Sequence, residues 1–188
     1  MANKKIKIPT KDNLANVALF YLSRFAASEE SLRKVLANRV RRAAMAHTEF
    51  AEDKAAQAKL YAAIDEIVEQ HKLSGVINDA EFARIKTNSM RRSGRSSRDI
   101  SQRLRHKGVA GELIDNSLSQ EDGGSDDMKA ALIFAKKRRI PALLQKGITL
   151  EQKRKEFAAF ARAGFSYDIS KKILGGGIEG YEELTDPF

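Results

Sequence analysis

The chain has 188 residues, with 34 Lys and Arg against 25 Asp and Glu, for a formal net charge of +9. It contains no cysteine, which excludes disulfides and Cys-ligated zinc and is compatible with a reducing compartment. A hydrophobic fraction of 42% permits a core, while 7% aromatics, no Trp and only 3 Pro suit slim helical packing better than a sandwich or barrel.

Residues 1–11 read as a loose basic arm, because no apolar segment follows Lys4, Lys5 and Lys7. No apolar run approaches the ~20 residues that a spanning helix needs. A cytoplasmic protein with no membrane partner is expected. From residue 12, Leu14, Ala18, Tyr21, Leu22 and Phe25 recur at helical spacing. Ser28 is placed to cap a second helix, whose core pair is Leu32 and Leu36 and whose other faces carry Arg33, Lys34, Arg39, Arg41 and Arg42. A long helix is predicted over 47–72, with Leu60, Tyr61, Ile64, Ile67, Val68 and His71 on its apolar stripe and Ser74-Gly75 at its end. These elements make a first repeat, 12–75, with an extended third helix.

Asn78 and Glu81 form the pattern of a capping box that opens the next helix, with Phe82, Ile85 and Met90 facing inward. Ser93-Gly94 breaks that helix, Ser96 or Ser97 caps another with core pair Ile100 and Leu104, and Gly108 ends it before a third helix over 109–119. The second repeat is thus 76–120. The Gly-rich stretch 121–127 is a linker candidate. Met128, Ala131, Leu132 and Ala135 mark the next helix face, Pro141 ends or kinks it, and Lys146-Gly147 turns the chain. Thr149 and Gln152 form another capping box, followed by Phe157, Phe160, Gly164, Phe165, Ile169 and Leu174, for a third repeat over 128–174. Residues 175–188 form a Gly-rich acidic tail with no basic residue.

One phrase is copied. Leu104-x3-Gly108-Val109-x3-Leu113-x4-Leu118 matches Phe160-x3-Gly164-Phe165-x3-Ile169-x4-Leu174 at identical spacing, which argues for duplication of a small helical unit. The fold class is therefore all-α, with about nine helices in three tandem three-helix repeats.

Nothing in the sequence assembles catalytic chemistry. His47, His71 and His106 fall in different predicted helices, and no metal cluster is expected without cysteine. Gly175-Gly176-Gly177 lacks the Lys-Ser/Thr of a P-loop. Acidic pairs such as Glu29-Glu30 and Asp126-Asp127 sit at helix starts, where the dipole favours them. No enzyme activity, cofactor or metal is expected.

The basic pattern is more informative. Arg84, Lys86, Arg91, Arg92, Arg95, Arg98, Arg103, Arg105 and Lys107 lie in one 24-residue window in which Asp99 is the lone acid after Arg84. Helical geometry puts Arg84, Asn88 and Arg91 on one face, and Arg98, Gln102 and Arg105 on another, opposite Ile100 and Leu104. Clustered like charges repel, so a neutralising partner is expected, and guanidinium suits phosphate or carboxylate equally. Arg84, Arg91, Arg92, Arg95, Arg98, Arg105 and Lys107 are candidate contacts. So are members of a weaker group, Lys136, Arg138 and Lys155, and also Arg162. Few aromatics interleave them, so base stacking is not indicated.

On these residues the chain resembles the RecX family, regulators of the RecA recombinase. The matching phrases are ALFYLSR at 18–24, SEESLRKVL at 28–36, VINDAEFA at 76–83, RDISQRLRHKGV at 98–109 and FARAGFS at 160–166. The resemblance implies an elongated, curved array of three-helix repeats lying in the groove of a RecA–DNA filament. It implies restraint of strand exchange and ATP hydrolysis, no catalytic residue, and RecA and the RecA–ssDNA filament as partners of a monomer. Arg98, Arg105, Lys107 and Arg162 fall on the family's motifs. A basic DNA-binding protein with no RecA partner is the alternative that charge alone supports. Two departures stand out: Val40 replaces a usual glycine, with extra length over 43–58, and Ala163 replaces a usual basic residue before Gly164.

Overall fold

The computed structural model describes residues 6–119, 125–140 and 149–175. The expectations for Pro141, Lys146-Gly147, most of the 121–127 linker and the tail beyond Gly175 lie outside those residues. All ten described elements are α-helices: α1 Lys11–Leu22, α2 Glu29–Ala46, α3 Thr48–Glu52, α4 Lys54–Leu73, α5 Asp79–Arg92, α6 Ser97–His106, α7 Gly111–Ser119, α8 Ser125–Lys137, α9 Leu150–Arg162 and α10 Tyr167–Gly175. No helix among the described residues is long and apolar enough to cross a membrane.

Most of the predicted starts and stops hold. Thr149 and Gln152 form a complete capping box on α9, and the Asn78 side chain accepts from Glu81 N–H at 3.0 Å to open α5. The cap of α6 is Ser96, whose hydroxyl accepts from Asp99 N–H at 3.2 Å. The single long helix predicted over 47–72 is instead two. His47 is extended at φ −135°, and the Asp53 side chain takes Ala56 N–H at 2.8 Å, so a short α3 precedes α4. The Asx cap competes with the helix it interrupts. Ile85, Tyr61 and Phe25 face outward at 44%, 41% and 56% exposure, against expectation. Thr87 takes the inward position on α5, with its hydroxyl 3.0 Å from that of Ser117.

The chain divides into two compact units. The first holds the described residues through Phe82 together with Lys107–Val109; the second holds Ala83–His106 and the rest. In the first, Leu14, Ala18, Leu32, Leu36, Val40, Ile64, Ile67 and Val68 form the core where α1, α2 and α4 meet. In the second, Ala130, Ala131, Ala135, Phe160, Phe165, Ile173 and Leu174 bring α8, α9 and α10 together, with Phe134 edge-on to Phe160 at 5.2 Å.

Each unit contains the same joint. A helix leaves its last carbonyls without intrahelical donors. In the second unit the Ser96 hydroxyl, while capping α6, donates to the Ala163 carbonyl at 2.7 Å. In the first, the hydroxyl of Ser28, which caps α2 by accepting from Ser31 N–H at 3.2 Å, donates to the Lys107 carbonyl at 2.5 Å. Both serines are fully buried. The residue after each carbonyl is a left-handed glycine, Gly108 at φ +77° or Gly164 at φ +87°. A Cβ on Gly108 would lie 2.2 Å from Glu30 Cβ, and one on Gly164 2.6 Å from Ser96 Oγ. Glycine is required twice over, for its backbone angle and for the approach.

In the first unit Asp79 accepts from Glu29 N–H at 2.9 Å, and Glu29 pairs with Lys72 at 3.1 Å. Burial pushes the Asp79 carboxyl above its ordinary value; the Glu29 amide opposes this, and the Glu29 carboxylate adds to it.

Gly108→Ala should lower stability by about 2–4 kcal/mol, combining left-handed strain with overpacking, and Ser28→Ala by about 1–2 kcal/mol; urea midpoints read both. Because the folded Asp79 pKa lies above its unfolded value near 3.8, its ionised form disfavours folding, and the penalty grows as pH rises through the folded pKa. Asp79→Asn, which keeps the acceptor, should therefore unfold at a higher urea midpoint than the natural chain at pH 7, and the difference should vanish as pH falls toward 3.8.

Candidate functional site

The surface begins with α6. Ile100 and Leu104 are buried at 0% and 1% exposure, so the opposite face, with Arg98, Gln102 and Arg105, is outside. Cations in the last turn, Arg103 and Arg105, also complement the helix dipole. Arg98 has a packed stem: a Cβ on Gly164 would sit 3.2 Å from Arg98 Cβ and 3.6 Å from its Cδ. Its methylenes lie along the glycine turn while its head is exposed. Exposed Arg162, at the end of α9, leads into the same turn. The Gly164 turn thus packs on the stem of Arg98, with Arg162 two residues before that glycine.

Two carboxylates sort the remaining arginines. Asp99 accepts from Arg103 Nε at 3.0 and 2.9 Å and pairs with Arg95 at 3.3 Å, one turn away on either side. These pairs are half exposed and hold both side chains along α6. Asp127 does more. Its carboxylate bonds Arg91 and accepts from both Ser97 N–H at 2.8 Å and Ser97 hydroxyl at 2.9 Å. Arg91 also donates to Ser97 Oγ at 2.5 Å, and its side chain is only 11% exposed. This knot ties the end of α5 to the start of α6 and to α8. The guanidinium of Arg91, expected on the binding face, is thus committed to the fold. Asp127, expected to serve as a dipole cap of α8, is its partner. No spacing in the sequence links residues 36 apart, so this pair is visible only in three dimensions.

Arg84 and Arg92 are exposed on α5. At the end of α8, Lys136 is exposed and the Arg138 guanidinium lies 5.4 Å over the Phe134 ring. Lys155 pairs with Glu151 at 2.8 Å on the solvent face of α9. Lys107 is exposed and belongs to the first unit, at the Ser28 joint. Among the described residues, Arg92, Arg98, Arg105, Lys107, Lys136 and Arg162 form no ion pair with a carboxylate. Charge presented without an internal counterion is what a polyanion or an acidic surface neutralises. No group of three or more His, Asp and Glu among the described residues could hold a metal ion.

Asp127→Ala should leave Arg91 nearly buried with no carboxylate, and should cost about 2–4 kcal/mol of stability, read as a lower urea midpoint. Replacing Arg92, Arg98 and Arg105 by Gln should leave that midpoint within about 0.5 kcal/mol of the natural chain.

Residues 78–118 match the family model described as RecX, second three-helix domain. The regulatory protein RecX of Myxococcus xanthus is 36% identical over 162 residues, 86% of this chain and 83% of the relative. That of Agrobacterium fabrum is 37% identical over 108 residues, 57% of this chain and 56% of the relative. The fold is shared with the crystal structure of RecX from Lactobacillus salivarius, with a TM-score of 0.60 at 20% identity, covering 88% of this chain and 94% of that one. A second RecX crystal structure gives 0.63 at 20% identity, covering 88% and 72%. The family model over α5–α7 and the extent of the Myxococcus xanthus match agree: the chain belongs to the RecX family of regulatory proteins.

Proposed function

We propose that this protein is a non-enzymatic regulator that binds the RecA recombinase and RecA–ssDNA filaments and restrains recombination, strand exchange and coupled ATP hydrolysis. The observation that carries the reading is its membership of the RecX family, through a relative that is 36% identical across most of both chains. The exposed arginines of α5 and α6 support it physically. RecA filaments offer both DNA phosphates and protein carboxylates, and guanidinium groups bind either through paired donors. Regulation requires only differential affinity for one state of the filament, so no reacting group is needed on this chain. The regulator acts as a monomer in the cytoplasm, with no cofactor.

A second reading has its own observation. Arg92, Arg98 and Arg105 stand exposed without internal carboxylates, and that alone would attract naked DNA. A general DNA-binding protein would bind duplex or single strand tightly and lose affinity steeply with salt.

When added to RecA on single-stranded DNA at stoichiometric concentration, the protein should slow ATP hydrolysis and strand exchange. The Arg92, Arg98 and Arg105 triple Gln variant should require roughly tenfold more protein for the same effect, equivalent to about 1.4 kcal/mol lost across three charged contacts. No effect of the natural protein on either activity would sink the regulatory reading. Equal affinity for naked DNA and filament would favour the second.

A further inference from the structure

The first unit carries its own basic ridge, outside every candidate contact considered so far. Val40 stands as far beyond the cap Ser28 as Gly108 stands beyond the cap Ser96. Where α6 stops at a left-handed glycine, α2 continues. Val40 is fully buried and helical, and α2 runs on to Ala46. The added turns, with the residue just before Val40, bear Arg39, Arg41 and Arg42, all exposed.

Nothing within the described residues neutralises these three. Glu30 at the start of α2 is taken by Arg33 at 3.5 Å and Lys34 at 3.3 Å, and Asp65 of α4 by Arg33 at 3.0 Å. No acidic residue follows on α2, from Ser31 to Ala46. The nearest acids beyond it, Glu49, Glu52 and Asp53, form no ion pair with the three arginines. The Arg41 guanidinium bonds the Asn38 amide oxygen one turn back, which lays it on the helix surface without consuming its charge. At the end of α2, His47 Nε2 lies 2.6 Å from the Ile6 carbonyl. This holds Ile6 against the end of α2, with neighbouring Lys7 exposed.

We propose that Arg39, Arg41, Arg42 and Lys7 form a contact for the phosphate backbone of single-stranded DNA. Arg39 and Arg42, three positions apart on one face of α2, repel by like-charge proximity, and Arg41 stands beside Arg42 on the exposed arc of the helix. A chain of phosphates relieves that repulsion continuously and gains entropy from released counterions. The proposal deepens the nucleic-acid side of the function above and does not depend on RecA.

The test uses the full chain and a fluorescein-labelled single-stranded oligonucleotide, with anisotropy measured at several salt concentrations. Gln at Arg39, Arg41 and Arg42 should weaken binding at least tenfold at low salt. It should also lower the slope of log affinity against log salt by about 2, at ~0.7 per phosphate contact. Lys at the same positions should restore the slope. Circular dichroism should be unchanged, since Gln is a good helix former at exposed sites. An unchanged slope in the Gln variant overturns the proposal. So does a Gln variant that binds the oligonucleotide normally and fails only on RecA filaments, which would make the ridge a protein contact. Absence of oligonucleotide binding by the natural chain overturns it too, and leaves the RecA reading to stand or fall on ATP hydrolysis.

Discussion

A left-handed glycine seated against the capped start of another helix is the constraint on which the rest of this molecule depends. The geometry solves two problems at once. The helix that ends has a carbonyl with no donor, and the helix that begins has amides with no acceptor. One serine hydroxyl serves both, because oxygen accepts through its lone pairs while donating its proton. Ser96 does this between Asp99 N–H and the Ala163 carbonyl, and Ser28 between Ser31 N–H and the Lys107 carbonyl. The contact is possible only because the next residue has no side chain. A buried hydroxyl with both roles filled is far cheaper than one left unpaired, so each joint seats its glycine turn in one place against the capped helix start.

The joints also determine how charge is displayed. At Gly164 the neighbour is Arg98, whose stem is pinned and whose head is outside. At Gly108 the neighbour is Glu30, whose carboxylate is drawn to Arg33 and Lys34. The same backbone device therefore presents a cation in one unit and an internally neutralised acid in the other. Within the second unit, Asp99 and Asp127 divide the arginines again. Asp99 restrains Arg95 and Arg103 at the surface, where such pairs contribute little to stability. Asp127 withdraws Arg91 from solvent, where removal of either partner is costly. An arginine-rich sequence thus becomes a structure in which some arginines build the fold and others remain for a partner.

Much of this was legible in the sequence, for identifiable reasons. Apolar residues at helical spacing marked α1, α2 and α4 to α10, because burial on one face leaves a period of 3.6. Serine, threonine and asparagine marked starts, and glycine marked stops, since those preferences are local. The copied Leu/Phe-x3-Gly phrase announced a repeated unit, and the ordered motifs placed the chain in the RecX family, as the relatives bear out. Local signals failed where local alternatives were close in energy. Asp53 ended one helix and began another within a stretch of good helix formers, and Ile85 yielded its inward position to Thr87.

The sequence by itself determined the helical class, the caps, the glycine stops and the surplus of positive charge. Each of these depends on a residue and its neighbours within about one turn. Only the tertiary structure decided which charges are free. Arg91 meets Asp127, Arg98 meets Gly164 and Arg33 meets Asp65 across separations that no periodicity encodes. It also showed that Val40 carries α2 past the point where α6 stops, which exposes Arg41 and Arg42 on turns that the other helix lacks. The physical reason is range. Backbone preferences act within a few residues, whereas an ion pair or a glycine contact is set by which helices pack together, and packing is decided by the whole core.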